Sequence, residues 1–141
     1  MASVSPGLQA IVTLTSRYAV RGDGIVVQEV INSCRQTIQH ARENVAAFNA
    51  LANGTPCALL CDMRVDFLAD EGVRRYYASA EATAFCAALA LLVRSPSTEL
   101  IGNLVLYVNR PIVKTRLFTV EKDAVTWLLN VRGPVTIAPG R

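Results

Sequence analysis

The chain has 141 residues, a formal net charge of +3, and 52% hydrophobic against 18% charged residues. That suffices for one domain with a full core and no need of a disulfide or metal staple. A charge this small and dispersed excludes a nucleic-acid footprint, and the longest apolar run, Ala84 to Val93, falls short of the roughly 18–20 residues that span a bilayer.

The opening residues, MASVSPGLQA, show no basic region followed by an apolar core, so no signal peptide is expected. Residues 1–10 read as a loose leader, 11–131 as the domain and 132–141 as a tail. Cys34, Cys57, Cys61 and Cys86 sit among apolar neighbours and form no C-x-x-C pair. Cys57 and Cys61, four apart in an extended run, would lie roughly 13 Å apart, too far for a bridge. Reduced core thiols are expected, and with them a cytoplasmic location.

In chain order, Ile11 to Gly22 carries strand-like residues, and Asp23-Gly24 is a hairpin signal, both residues suiting positive φ. Ile25 to Val30 is the return strand. Arg21-Gly22-Asp23 spells an adhesion motif that the turn explains. Ile31, Cys34, Ile38, Ala41, Val45, Phe48 and Ala52 then recur every three or four residues, which predicts one helix closed by Asn53-Gly54. His40 lies beside that stripe with no metal ligand at useful spacing, as an ordinary boundary histidine.

Cys57 to Cys61 is all apolar, as a strand buried on both faces requires. Asp62 and Arg64 follow, where ligands collect in open α/β sheets; the favoured reading is structural, with Asp62 capping nearby amides and Arg64 paired to a neighbouring carboxylate. Asp70-Glu71 opens a helix carrying Arg74, Arg75, Tyr76 and Tyr77. One of the two tyrosines is expected in the core with its hydroxyl on a polar partner. Ser79 with Glu81 reads as a helix restart. Ala82, Phe85, Cys86 and Leu89 have helical spacing, and Leu89 to Val93 reads as a second doubly buried strand, the two dividing near Ala87-Ala88. Arg94 leaves this strand as Arg64 leaves the earlier one. Ser95-Pro96 starts a helix running to about Val108, apolar nearly all round. Ile112 to Phe118 is a last strand bearing Lys114 and Arg116. Thr119 caps a final helix whose inward face is Ala124, Trp127 and Leu128.

Hairpin first, then helices alternating with strands: the later strands should be parallel. The expected class is α/β, with a sheet of about five strands and four or five helices. This order, with LCDMR at Leu60 to Arg64, RYYAS at Arg75 to Ser79, ALLVRSP at Ala90 to Pro96, Ile101-Gly102-Asn103, and RLFT at Arg116 to Thr119 followed by Ala124 to Leu128, resembles the SpoIIAA-like fold of STAS and SEC14-type domains. More narrowly it resembles a bacterial group of STAS/SEC14-like proteins of unassigned function. The resemblance implies a regulatory module acting through protein contacts, with a partner or with itself as a homodimer. STAS switches carry a phosphorylatable serine after the third strand. Val65 to Gly72 contains no Ser or Thr, and Ser79 and Ser95 are explained as helix caps. The chain is too short for a SEC14 lipid gate.

No catalytic constellation emerges. One histidine excludes a multi-histidine metal site, and no phosphate loop, nucleophile elbow or dinucleotide fingerprint is present. Neither an enzyme nor a cofactor is expected. The alternative to a protein-contact module is a small-anion site, for phosphate or a nucleotide. Asp62, Arg64, Arg74, Arg75, Tyr76, Tyr77, Ser79, Arg94 and Arg116 are its candidate residues, or those of the partner surface.

Overall fold

The computed structural model describes residues 10–32, 34–65, 68–95 and 113–131. The leader (residues 1–9), the helix expected after Pro96 and the tail lie outside the described residues. The elements run β1 (Ala10–Val12), β2 (Ser16–Val20), β3 (Val26–Val30), β4 (Arg35–Gln36), α1 (Ile38–Ala52), β5 (Cys57–Asp62), β6 (Leu68–Ala69), α2 (Glu71–Tyr77), β7 (Cys86–Leu92), β8 (Lys114–Phe118) and α3 (Glu121–Val131). Six strands form one sheet in the order β1-β2-β3-β5-β7-β8, and β4 pairs with β6 in a separate two-stranded sheet. The first two pairings are antiparallel, and β3-β5, β5-β7 and β7-β8 are parallel.

The meander has one strand more than a hairpin. Thr13 N–H donates to the Ser16 carbonyl at 2.8 Å and turns the chain, so the run expected as one strand folds as β1 and β2. The next turn differs from the expected pair of positive-φ residues. Only Gly24 has positive φ (88°), and Arg21 and Ile25 close the loop as Gly24 N–H donates back to Arg21. This is a three-residue loop with glycine at its left-handed position.

The first helix is shorter than its apolar spacing suggests. Ile31 and Cys34 precede it, and Arg35–Gln36 pairs with Leu68–Ala69 instead. Thr37 ends the extended segment and caps α1. Its Oγ1 accepts from His40 N–H at 3.2 Å, while His40 Nδ1 accepts from Thr37 N–H at 3.1 Å. His40 is therefore half of a reciprocal capping box. Asn53 closes the helix in the left-handed region (φ 54°), as expected.

The strand expected from Leu89 begins at Cys86, and the preceding residues 80–85 are turns. The helical spacing of Ala82, Phe85 and Cys86 has no helix behind it: Ser79 Oγ accepts from Ala82 N–H and donates to the Tyr76 carbonyl, holding a compact turn. At α3 the first turn closes on the Val120 carbonyl rather than on a Thr119 cap.

Strand side chains alternate between two faces. Ala58, Leu60, Ala88, Ala90 and Leu92 meet Ala124 and Leu128 of α3. The alanines let that helix approach closely, and Trp127 closes the edge against Phe118 at 5.6 Å between ring centres. The opposite face carries Cys61, Leu89 and Leu91, with α1 packed over the meander through Ala47 and Phe48 against Tyr18 and Val26. The helix α2 packs on α1 through Val73 and Ala41. The result is a three-layer sandwich with α1 and α2 on one side and α3 on the other.

Candidate functional site

Two places hold chemistry, and the parallel register explains both. One cross-strand row is Arg17, Glu29, Asp62, Leu92 and Phe118. It lies where the parallel strands finish. Arg17 pairs with Glu29 at 2.7 Å. Arg64 folds back on Asp62: Nε donates to Oδ1 at 3.0 Å, Nη2 to Oδ2 at 2.8 Å, and the Arg64 N–H to Oδ1 at 3.1 Å. Glu121 at the start of α3 stands 3.6 Å from the same guanidinium. Arg94 donates to the Arg64 carbonyl at 2.8 Å. Burial alone would push the Asp62 carboxyl up, but the hydrogen bonds and charge of Arg64 outweigh it and hold the group below the usual range.

The structure thus brings Asp62, Arg64 and Arg94 together, at the same end of adjacent strands. It does not gather the other candidates around an anion. Arg75 pairs with Glu71 on its own helix at 2.6 Å, and Arg74 donates to the Ala69 carbonyl. Tyr76 lies under the Arg42 guanidinium, 5.6 Å from the ring centre. Ser79 serves the turn already described. Arg116 stacks over Phe118 on the edge strand β8. Of the arginines at the strand ends, Arg17 and Arg64 each have a carboxylate partner and Arg94 donates to a carbonyl.

The second place lies one row deeper on the opposite face. Ile11, Tyr18, Gln28, Cys61, Leu91 and Leu117 form a row across all six strands. Between this floor and the α1–α2 layer is a cavity of about 70 Å³. One wall is a buried polar network. Asn44, fully buried in the apolar stripe of α1, accepts from Thr13 Oγ1 at 2.6 Å and donates to Thr15 Oγ1 and the Tyr77 hydroxyl, each at 2.9 Å. The Tyr77 hydroxyl donates to Gln36 Oε1. Tyr77 is thus the core tyrosine of the pair. Burial drives both the Tyr18 and the Tyr77 hydroxyl well above ordinary phenols, and pushes the Cys61 and Cys86 thiols up to about 12.

Sequence reasoning named Tyr77 and missed Tyr18, Gln28, Gln36 and Asn44. A signal for Asn44 was present: it stands three residues after Ala41 and four before Phe48, a polar group in an apolar stripe. Tyr18 and Gln28 carry no such mark, since only the register sets them side by side. Among the described residues no cluster of histidine, cysteine and carboxylate could hold a metal ion.

Residues 18–132, most of the chain, match the family model "Domain of unknown function (DUF7793)". The chain belongs to this family. No curated protein matches it. Among solved structures it is similar to an uncharacterised DUF3478-family protein with a SpoIIAA-like fold from Shewanella loihica PV-4. The similarity covers 91% of this chain and 98% of that one, at 14% identity and a TM-score of 0.58. At that identity the likeness is one of fold, and the DUF7793 domain has the SpoIIAA-like fold that its strand and helix order suggested. The sheet has six strands rather than about five, and three helices fall among the described residues. None of those helices is long and apolar enough to cross a membrane.

Proposed function

We propose that this DUF7793 domain is a non-catalytic interaction module whose contact face is the end of the sheet where the parallel strands finish. One observation carries the reading. Among the described residues, the large apolar side chains left exposed are Val12, Leu14, Ile31, Ile38, Val65 and Val120. Every one lies at that end. Val12 ends β1, which runs parallel to β3, and Leu14 is in the turn after it. Ile31 follows β3, Val65 follows β5 and Val120 follows β8. Ile38 is the first residue of α1, which starts from the same end. Single exposed apolar residues are ordinary, but a one-sided collection of them is the mark of a contact surface.

The charges at this end favour contact with a protein over capture of an anion. Arg17 and Arg64 face Glu29, Asp62 and Glu121, so a phosphate would have to displace a carboxylate. A mixed-charge rim around apolar side chains is how transient protein interfaces are built. The partner is another protein or a second copy of this chain.

Photo-crosslinking residues placed singly at Leu14, Ile31 and Val65, with Thr126 on α3 as control, test this in the native host. Adducts of one defined mass from the three rim positions and not from Thr126 are expected. Sedimentation tells whether the adduct is a dimer of this chain. Equal labelling at Thr126, or no adduct from any rim position, refutes the reading.

A further inference from the structure

The cavity under α1 and α2 has features that the contact face does not use. Its floor pairs Tyr18 with Gln28 on adjacent strands, and Cys61 continues the row. Tyr18 is 2% exposed, yet its hydroxyl bonds to none of the described residues. That oxygen is not sealed into the packing either, for among the described residues the buried side-chain polar atoms lacking a partner are Arg17 Nε, Gln36 Nε2 and Asn49 Oδ1. Tyr18 lines the open space of the cavity. Gln28 gives its Nε2 to Ser16 Oγ at 3.1 Å, and its amide oxygen is left in the same position. A buried tyrosine hydroxyl ordinarily finds a partner. Here a donor and an acceptor stand together, beside a wall of Leu89, Leu91 and Met63, without one among the described residues.

The surroundings restrict what could supply that partner. Among the described residues no lysine, arginine, aspartate or glutamate lines the space, so a charged ligand would be buried uncompensated. The thiols and phenols there are themselves held neutral by burial. The space is about half of the 150 Å³ that accepts benzene in an engineered protein cavity, so it suits a molecule smaller than benzene. Val45, Leu59 and Thr83 of the lining are only partly buried, and Met63 is an adaptable wall.

We propose that this cavity is a binding site for a small uncharged organic molecule, with an apolar body and one carbonyl or hydroxyl oxygen that accepts the Tyr18 O–H. The site is independent of the contact face and stands on separate residues.

Methyl-resolved NMR of the full chain tests it, reading Met63, Leu89 and Leu91 with three probes. Butan-2-one supplies body and acceptor, butyrate the same number of carbons with a charge, and xenon a body alone. Saturable shifts with butan-2-one and xenon are expected, with butyrate at least about tenfold weaker. Tyr18→Phe should weaken butan-2-one about fivefold or more, as loss of one buried hydrogen bond does, and leave xenon unchanged. Ala82→Leu, which narrows the cavity without touching the polar floor, should remove both. Absence of any saturable shift means a hydrated structural cavity and overturns the proposal. So does butyrate binding as well as the ketone, ketone affinity unchanged in Tyr18→Phe, or full binding retained in Ala82→Leu.

Discussion

Replacing Asn44 by alanine should be among the most damaging single changes to this domain. The side chain is fully buried and makes three hydrogen bonds, joining α1 to the β1–β2 turn and to α2. At about 1 kcal/mol net for each bond, the loss is about 3 kcal/mol. Thr13 Oγ1 keeps a second partner in the Ser16 carbonyl, and the Tyr77 hydroxyl keeps Gln36. Thr15 Oγ1, in a residue 1% exposed, keeps no side-chain partner among the described residues, and an orphaned buried hydroxyl adds roughly 1 kcal/mol or more. The expected cost is about 4 kcal/mol, a large part of the roughly 5–15 kcal/mol that holds a domain together. Tyr77→Phe removes the bonds to Gln36 and Asn44, about 2 kcal/mol. The two changes share the Asn44–Tyr77 bond, so the double variant should fall about 1 kcal/mol short of their sum. Urea unfolding followed by the single tryptophan, Trp127, reads all of this, because the indole packs on Phe118 only in the fold. A loss below about 1 kcal/mol in Asn44→Ala, or strict additivity with Tyr77→Phe, would show that the network does not bind these layers together.

Arg64→Ala should raise the Asp62 carboxyl, since burial is then opposed only by the backbone N–H of residue 64; an NMR titration of that carboxyl measures it. With Arg64 present the folded-state value is depressed, so Asp62 stabilises the fold above its unfolded value near 4, and the contribution disappears as pH falls through the folded value. The variant should lose most of that acid-labile component, and equal acid sensitivity in the two proteins would count against the pairing. Cys61 and Cys86, with thiols pushed up to about 12, should resist iodoacetamide at pH 8 in the folded protein and react once it is unfolded; peptide mass mapping of native and urea-treated samples decides this. Thr37→Ala should cost about 1 kcal/mol by opening the capping box with His40, and an unchanged urea midpoint would assign that cap no role in stability.

Much of the fold was legible because the relevant signals are local. The apolar run Cys57 to Cys61 could only be a strand covered on both faces, and Asn53-Gly54 could only end a helix, as their positive φ values show. Where the reading failed, a non-local pairing won. Ile31 and Cys34 fit the helical period, but Arg35–Gln36 pairs with Leu68–Ala69, more than thirty residues away, and α1 starts after it. Phe85 and Cys86 fit the same period, but the bonds around Ser79 and the register on β5 draw them into a turn and a strand.

The sites divide in the same way. Arg64 and Arg94 were placed correctly at the ends of neighbouring strands, since a strand exit can be read from a run of apolar residues. That Arg64 lies bidentate on Asp62, with Glu121 on its other side, depends on side-chain geometry and on a helix more than fifty residues later. The exposed apolar rim and the cavity floor were invisible, because each collects residues from strands distant in the chain. Alternation along a strand tells which side chains share a face. Only the register across strands tells which of them meet, and here it set Tyr18, Gln28, Cys61 and Leu91 in one row. The amino-acid order by itself determined a parallel α/β domain with its buried strands and charged strand exits. The tertiary structure decided which of those charges answer each other, and where a donor and an acceptor would be buried with room beside them.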